Sequence, residues 1–175
     1  LNAYSYGGYT DGFARVLHGL FEKYGLVLIN PAADEFSELA KPLYARAIEK
    51  NAELIAAIRQ RSEEIEQAGF NPQISIREGQ TLLFYVDEDG RRYRLDVQSD
   101  GRLAAKIDDS YRELSEAALL KPGALSPNVA LRPVLQDFLL PTISYVGGPG
   151  ELSYFAQVEA LYTALDIELP LLYPR

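Results

Sequence analysis

Hydrophobic positions at the start of the chain predict a helix followed by a buried strand. The helix starts at a capping Thr10 or Asp11 and ends at Gly25, since apolar residues recur between them three or four positions apart. These residues are Phe13, Val16, Leu17, Leu20 and Phe21. Residues 25–30 then read Gly-Leu-Val-Leu-Ile-Asn, a short apolar run typical of a strand covered on both faces. A helix leading into such a strand predicts an α/β architecture.

A long charged helix is predicted over residues 34–68. We expect a new start at Pro42, because proline fits a first helical turn better than a helix interior. The apolar positions form a heptad-like seam of Tyr44, Ile48, Ile55, Ile58 and Ile65. So short a seam does not establish a coiled coil, and we expect it to pack on the rest of the domain.

Beyond Pro72 the pattern changes to the alternation of a half-buried sheet. Leu82–Val86 and Tyr93–Val97 flank Asp-Glu-Asp-Gly and predict a hairpin, and Leu103–Ile107 adds a third strand. Residues 111–120 are predicted to form a short helix. The result is a small antiparallel β-meander, typical of a specificity or scaffolding insertion.

The last part of the chain predicts a βαβ unit. A helix over 129–139 precedes a strand at 142–146, a turn at 147–150, a helix at 151–165 and a strand at 169–173.

Three regions follow from these elements. Residues 1–33 are the first part of an α/β core, 34–122 are a connecting subdomain with the long helix and the antiparallel insertion, and 123–175 are α/β core with the βαβ unit.

Composition narrows the class of function. The chain is 47% hydrophobic and 24% charged with a net charge of −8, which fits a soluble globular protein and argues against nucleic-acid binding. Neither a membrane-spanning run nor a signal peptide is recognisable, so we expect a cytoplasmic protein without a membrane partner. With no cysteine and only His18, the chain has no thiolate or histidine-rich metal site, and no metal site is evident.

The turn Val-Gly-Gly-Pro-Gly-Glu at residues 146–151 is the first candidate site. It lies between a predicted strand and a predicted helix, where Gly147, Gly148 and Gly150 would let backbone N–H groups approach a phosphate or carboxylate. It matches neither the dinucleotide-binding fingerprint nor a Walker loop. The alternative is a tight turn in which Pro149 opens the helix.

Two side chains of the following helix could act on the same ligand. Glu151 lies in the first turn, where the helix dipole favours a carboxylate, and could accept a proton from an amine or orient an ammonium group. Tyr154 follows at i+3 on the same face. The alternative for Glu151 is a helix cap.

The segment from Ser126 to Asp137 is the second candidate. Arg132 stands in apolar surroundings and needs an anionic partner, which is either Asp137 or a substrate carboxylate or phosphate. Gln136 follows one helical turn later. Ser126 and Asn128 either bind the same substrate or only cap the helix.

The same segments resemble a known enzyme family. Leu-Ser-Pro-Asn-Val-Ala-Leu-Arg-Pro-Val-Leu-Gln-Asp-Phe-Leu-Leu-Pro-Thr, then Ser-Tyr-Val-Gly-Gly-Pro-Gly-Glu-Leu-Ser-Tyr-Phe-Ala-Gln and the final Leu-Pro-Leu-Leu-Tyr-Pro-Arg, are similar to the cysteine-adding enzymes of bacillithiol biosynthesis. The Lys-Tyr-Gly-Leu-Val-Leu-Ile run fits the same family, so the resemblance covers the chain.

The resemblance implies an internal segment of a longer cysteine ligase with a Rossmann-like core. The implied reaction joins cysteine to the amine of glucosaminyl-malate, and because amide formation from a free carboxylate is uphill we expect ATP to drive it. It also implies a homodimer formed through a C-terminal coiled coil outside this chain. Two alternatives stay open, namely a non-catalytic α/β ligand-binding or assembly module and a nucleotidyl-transferase-like enzyme.

The family pattern carries over to specific residues. They are Ser126, Asn128, Arg132, Gln136, Gly147, Gly148, Gly150, Glu151 and Tyr154. Arg132 is then expected to clamp an anion, the backbone of 147–150 to cradle a phosphate or malate carboxylate, and Glu151 with Tyr154 to orient an amine.

Overall fold

The described part of the first of two compact units contains one α-helix and a 3-10 turn. The computed structural model describes residues 8–31 and 33–175, and the units comprise residues 1–33 and 34–175. Helix α1, Tyr9–Phe21, continues into one 3-10 turn, Glu22–Tyr24, which ends at Gly25. Gly25 has φ +76°, a left-handed conformation that glycine adopts without strain, so the predicted end of the helix is confirmed.

The apolar run after Gly25 does not form a strand, and this prediction was wrong. Residues 26–30 belong to neither helix nor sheet, and Val27 is 78% exposed. A buried parallel strand needs neighbouring strands for its backbone N–H and C=O groups, and within the described part of the chain none pairs with this run.

Two helices replace the single predicted one. Helix α2, Asp34–Glu49, runs through Pro42, and helix α3, Asn51–Gln67, begins after Lys50. The predicted restart at Pro42 was wrong. Pro42 and Glu38, whose carbonyl loses its helical donor, are both exposed, so water can replace the missing hydrogen bond.

A five-stranded antiparallel sheet follows, in the order β4-β3-β2-β1-β5. Its strands are β1 Gln80–Val86, β2 Arg92–Val97, β3 Leu103–Ile107, β4 Ser110–Glu113 and β5 Leu125–Pro127. The three predicted strands are confirmed as β1 to β3. Because β5 pairs with β1 from beyond residue 122, the sheet is larger than the predicted meander.

The predicted helix over 111–120 is largely wrong. Only α4, Glu116–Leu119, is helical, and Ser110–Glu113 form strand β4. Asp108 turns the chain with φ +53°, so that β4 takes up hydrogen-bonding groups at the edge of β3. Pairing with a neighbouring strand therefore outweighed the local helical pattern.

The predicted βαβ unit is confirmed. After helix α5, Leu131–Leu139, strand β6, Ser144–Gly147, leads through helix α6, Pro149–Leu165, to strand β7, Leu171–Pro174. Strands β6 and β7 are parallel and pair from Ser144 with Leu171 to Gly147 with Pro174. Both strands therefore end at the same edge.

One continuous core joins the helices and the sheet of residues 34–175. Four residues of the heptad-like seam, Tyr44, Ile48, Ile55 and Ile58, pack into it as expected, together with the inner faces of the sheet and α6, whereas Ile65 lies outside this core. Fully buried members include Leu43, Leu54, Ile58, Leu82, Leu95, Leu131, Leu161 and Tyr162. The boundary proposed at residue 122 stays a prediction.

Gln157 fixes α6 within this core. It is 0% exposed and makes four hydrogen bonds: its Oε1 accepts from the N–H groups of Gln73 and Ile74 at 2.9 and 2.8 Å, and its Nε2 donates to Ser62 Oγ and Ile74 O, both at 2.7 Å. Arg61 adds a bond from α3 to Glu159 at 2.5 Å. The start of α6, where the first candidate site lies, is thereby held in place.

No helix in the described residues has both the length and the apolar composition of a membrane span.

Candidate functional site

The turn between β6 and α6 is closed by the side chain of Glu151. Pro149 occupies the first helical position and Glu151 the third, where its Oε2 accepts the N–H of Gly148 at 2.7 Å. Proline has no N–H to satisfy there, and a glutamate at the third position is a common cap. The predicted helix cap is thus realised, and it uses one of the backbone N–H groups of the turn.

The second oxygen of Glu151 is also engaged. Its Oε1 accepts the hydroxyl of Tyr145 at 2.9 Å. The N–H of Gly148, the Tyr145 hydroxyl and the positive charge of Arg175 all lower the pKa of Glu151, the first most strongly. Glu151 is therefore anionic at neutral pH and a weak base, which suits orienting an ammonium group better than accepting a proton.

The three glycines of the turn differ in their surroundings. A Cβ on Gly147 would meet Tyr145 Cε1 at 3.0 Å and Glu151 Cβ at 3.3 Å, so packing disfavours a side chain there. A Cβ on Gly148 would meet Arg175 Nη2 at 3.3 Å and Glu151 Oε2 at 3.6 Å, and one on Gly150 would meet nothing within 4 Å.

Arg175 and Tyr145 lie beside the turn of residues 147–150 and Glu151, and together these residues form a corner at the carboxyl ends of β6 and β7. The sequence patterns indicated no role for Arg175 or Tyr145. Arg175 follows β7 directly, its backbone N–H donates to Gly147 O at 2.9 Å, and its guanidinium makes no hydrogen bond or ion pair with a described residue. The signal that could have found Arg175 is the βαβ unit itself, because parallel pairing places the residue after one strand beside the residue after the other.

In the second segment, Asn128 is a cap and Ser126 lies in the sheet. Asn128 is 6% exposed, and its Oδ1 accepts the N–H of Leu131 at the start of α5 at 3.0 Å. Ser126 is half-buried in β5 and pairs with Phe84. Asn128 thus takes the predicted capping role, while Ser126 does not cap the helix.

Arg132 has no internal partner among the described residues, and the alternative pairing with Asp137 was wrong. Arg132 is exposed, whereas Asp137 accepts the hydroxyl of the buried Tyr162 at 2.5 Å. Residues five apart on a helix point about 140° away from each other, so these two lie on different sides of α5. Gln136, four residues on, is exposed on the side of Arg132.

Tyr154 joins the two candidate segments. Its hydroxyl donates to the carbonyl oxygen of Val129, and its ring packs edge-on against Phe155 with centroids 5.9 Å apart. Burial raises the pKa of Tyr154 to about 12, and the nearby positive charge of Arg132 opposes this shift. Tyr154 is therefore neutral at physiological pH and ties the start of α6 to the start of α5.

Near the carboxyl ends of β6 and β7 the structure offers one guanidinium group, Arg175, one fixed carboxylate, Glu151, and a helix N-terminus, and Arg132 adds a second guanidinium group near Tyr154. Such groups can bind anions and an ammonium group. Across residues 8–31 and 33–175, no three acidic or histidine side chains are grouped so that they could hold a metal ion. His18 is exposed on α1, 4.0 Å from Glu22.

Comparison with known proteins identifies the family. Residues 2–175 match the family model described as "Bacillithiol biosynthesis BshC, N-terminal Rossmann-like domain". The chain belongs to the BshC family. The resemblance seen in the sequence and the Rossmann-like α/β class are confirmed.

Curated relatives agree with this assignment. Proteins of Natranaerobius thermophilus, Koribacter versatilis and Salinibacter ruber, each named "Putative cysteine ligase BshC", are 38%, 39% and 37% identical to the chain. The alignments cover 95%, 89% and 94% of this chain but 31%, 29% and 30% of the relatives. The chain thus spans about a third of the length of these BshC proteins.

Proposed function

We propose that this chain is a substrate-binding part of a cysteine ligase that joins cysteine to the amine of glucosaminyl-malate in bacillithiol biosynthesis. The observation that carries the proposal is Arg132, a cation without an internal partner among the described residues, at the start of α5 in a chain of the BshC family. An exposed guanidinium is suited to bidentate binding of a carboxylate or phosphate.

Each residue then has a role set by its contacts. Arg132 binds an anionic group of a substrate, with Gln136 beside it, and the backbone of residues 147–150 contributes to the same anion-binding region. Glu151 stays ionised and orients a cationic amine. Tyr154 positions the two segments through its bond to Val129.

ATP is the proposed source of driving force. When bound, it would convert a carboxylate oxygen into a leaving group, which makes amide formation favourable. Arg132 is suited to bind one phosphate or carboxylate group, whereas the chain lacks the glycine-rich and lysine pattern of a Walker loop. The homodimer, its coiled coil and the cytoplasmic location belong to the same proposal.

The test uses the intact enzyme and measures amide formation from cysteine and glucosaminyl-malate with ATP. Arg132→Ala and Glu151→Gln should each lower kcat/KM by about tenfold or more, because a hydrogen bond to a charged group contributes roughly 1.5–3 kcal/mol. Arg112→Ala is the matched control, since Arg112 is exposed on the edge strand β4 and should leave activity unchanged.

Normal product formation by both variants would show that the site is assigned wrongly. If the wild-type enzyme forms no amide and consumes no ATP, the non-catalytic binding module becomes the better description. Transfer of a nucleotidyl group to another acceptor would favour the nucleotidyl-transferase alternative.

A further inference from the structure

Gly148 is a glycine for which the backbone gives no reason. Its φ and ψ are −75° and 171°, an extended conformation open to every residue type. Gly147 beside it is different, because a Cβ there would press on the ring of Tyr145 at 3.0 Å. The absence of a side chain at Gly148 therefore calls for another explanation.

Two opposite charges flank the position that a side chain on Gly148 would occupy. Apart from chain neighbours, the protein atoms within 4 Å of that position are Arg175 Nη2 at 3.3 Å and Glu151 Oε2 at 3.6 Å. These atoms are thus at most about 7 Å apart, yet they do not form an ion pair. The gap is too wide for a direct contact and suits a small bridging molecule.

Both charged groups can still form hydrogen bonds. The guanidinium of Arg175 binds no described residue, so its donors are available. Each oxygen of Glu151 accepts one hydrogen bond, from Tyr145 and from Gly148, whereas a carboxylate offers about four acceptor positions in all. The corner thus presents donors and acceptors of opposite charge to one small space.

A molecule that matches this pattern carries an ammonium and a carboxylate on one carbon atom. We propose that Arg175, Gly148 and Glu151 form a subsite for an α-amino acid. Arg175 binds its carboxylate, Glu151 binds its ammonium group, and the missing side chain of Gly148 leaves the space between them free. The inference rests on the proposed function, in which the amino acid is cysteine.

Calorimetry on the intact enzyme with three thiols tests the two charges separately. L-cysteine carries both groups, cysteamine lacks the carboxylate and 3-mercaptopropionate lacks the ammonium group. Arg175→Gln should weaken binding of cysteine roughly 10- to 100-fold, because a charge-assisted bond is lost. Binding of cysteamine should stay within about twofold, because it has no carboxylate for Arg175.

Two glycine variants form a matched pair. Gly148→Ala places a methyl group between the charges and should weaken cysteine binding about tenfold or more, with an unchanged circular dichroism spectrum. Gly19→Ala adds the same methyl group on helix α1, where it meets nothing within 4 Å, and should leave binding unchanged.

Unchanged affinity of Arg175→Gln for cysteine would overturn the subsite. So would a loss of affinity confined to glucosaminyl-malate, which also carries an amine and carboxylates. If the wild-type enzyme shows the expected pattern with the three thiols but forms no amide, the proposed function fails while the subsite stands. If amide forms without dependence on Arg175 or Gly148, the subsite fails and the function stands.

Discussion

Two arginines of the antiparallel sheet region, Arg94 and Arg102, form ion pairs, whereas Arg132 at the start of α5 and Arg175 after β7 do not. In the sheet, Arg94 Nε lies 2.6 Å from Asp96, which also accepts the hydroxyl of Tyr111 at 3.0 Å. Arg102 lies 2.5 Å from both Asp100 and Glu113. Arg132 on α5 and Arg175 after β7 have no such partner in the described chain.

This difference distinguishes arginines whose donors bind other residues of the fold from arginines whose donors remain available to a ligand. An exposed arginine costs little when unpaired, because water solvates it, and an exposed ion pair adds at most about 1 kcal/mol. Stability therefore did not require partners for Arg132 and Arg175. Their donors remain open to a ligand, whereas those of Arg94 and Arg102 bind the protein itself.

The largest expected effect concerns Gln157, which holds α6, and with it the corner, against the rest of the core. Gln157→Leu keeps the volume but leaves the buried N–H of Ile74 without an acceptor. We expect a loss of about 3 kcal/mol or more in the free energy of unfolding. Urea titration followed by circular dichroism measures it, and faster hydrogen exchange at Ile74 would localise it. Exchange as slow as in the wild type would contradict the assigned role.

Breaking the charge network of the sheet should have a smaller effect. Asp96→Asn removes the negative charge that Arg94 and Tyr111 share, and Asp96 is 7% exposed. We expect a loss of roughly 1–3 kcal/mol in unfolding free energy and unchanged amide formation. A drop in kcat/KM without loss of stability would show that the sheet, too, takes part in the reaction.

The cap at Glu151 should make stability depend weakly on pH. Its folded-state pKa is lowered, so the unfolded chain binds more protons, and the stabilisation is present above the ordinary value of 4.5 and lost as pH falls through the folded-state pKa. Melting temperatures of wild type and Glu151→Gln should therefore converge as the pH falls from neutral to below the ordinary value of 4.5. A difference that stays constant over this range would mean that the carboxylate contributes nothing through its charge.

The smallest effect on stability is expected for Arg102 and Arg132, one arginine from each of the two regions compared. Arg102→Gln and Arg132→Gln should each change the free energy of unfolding by about 1 kcal/mol or less, because both side chains are exposed. Only Arg132→Gln should lower kcat/KM. Equal activity in the two variants would remove the functional distinction between the two regions.

Much of the candidate site could be predicted from the sequence, because its parts follow local rules. Proline at the first helical position and glutamate at the third fix the turn before α6, and the alternation of strand, turn and helix fixes the βαβ unit. The cap formed by Asn128 follows in the same way. Each depends on residues a few positions apart.

Features that depend on distant neighbours were missed or predicted wrongly. Residues 26–30 have the composition of a buried strand but no pairing strand in the described chain, and residues 110–113 became a strand because an edge of β3 was available. Asp137 accepts a hydrogen bond from Tyr162 instead of pairing with Arg132, because α6 packs against that side of α5.

The sequence by itself determined where the helices around the corner begin and which glycines line it, since caps and turns depend on short-range geometry. Only the tertiary structure decided that Arg175 lies beside Gly148 and that Arg132 keeps its charge unpaired within the described chain. Parallel pairing of β6 with β7 joins residues far apart along the chain, and such pairing depends on which surfaces pack together rather than on any local pattern.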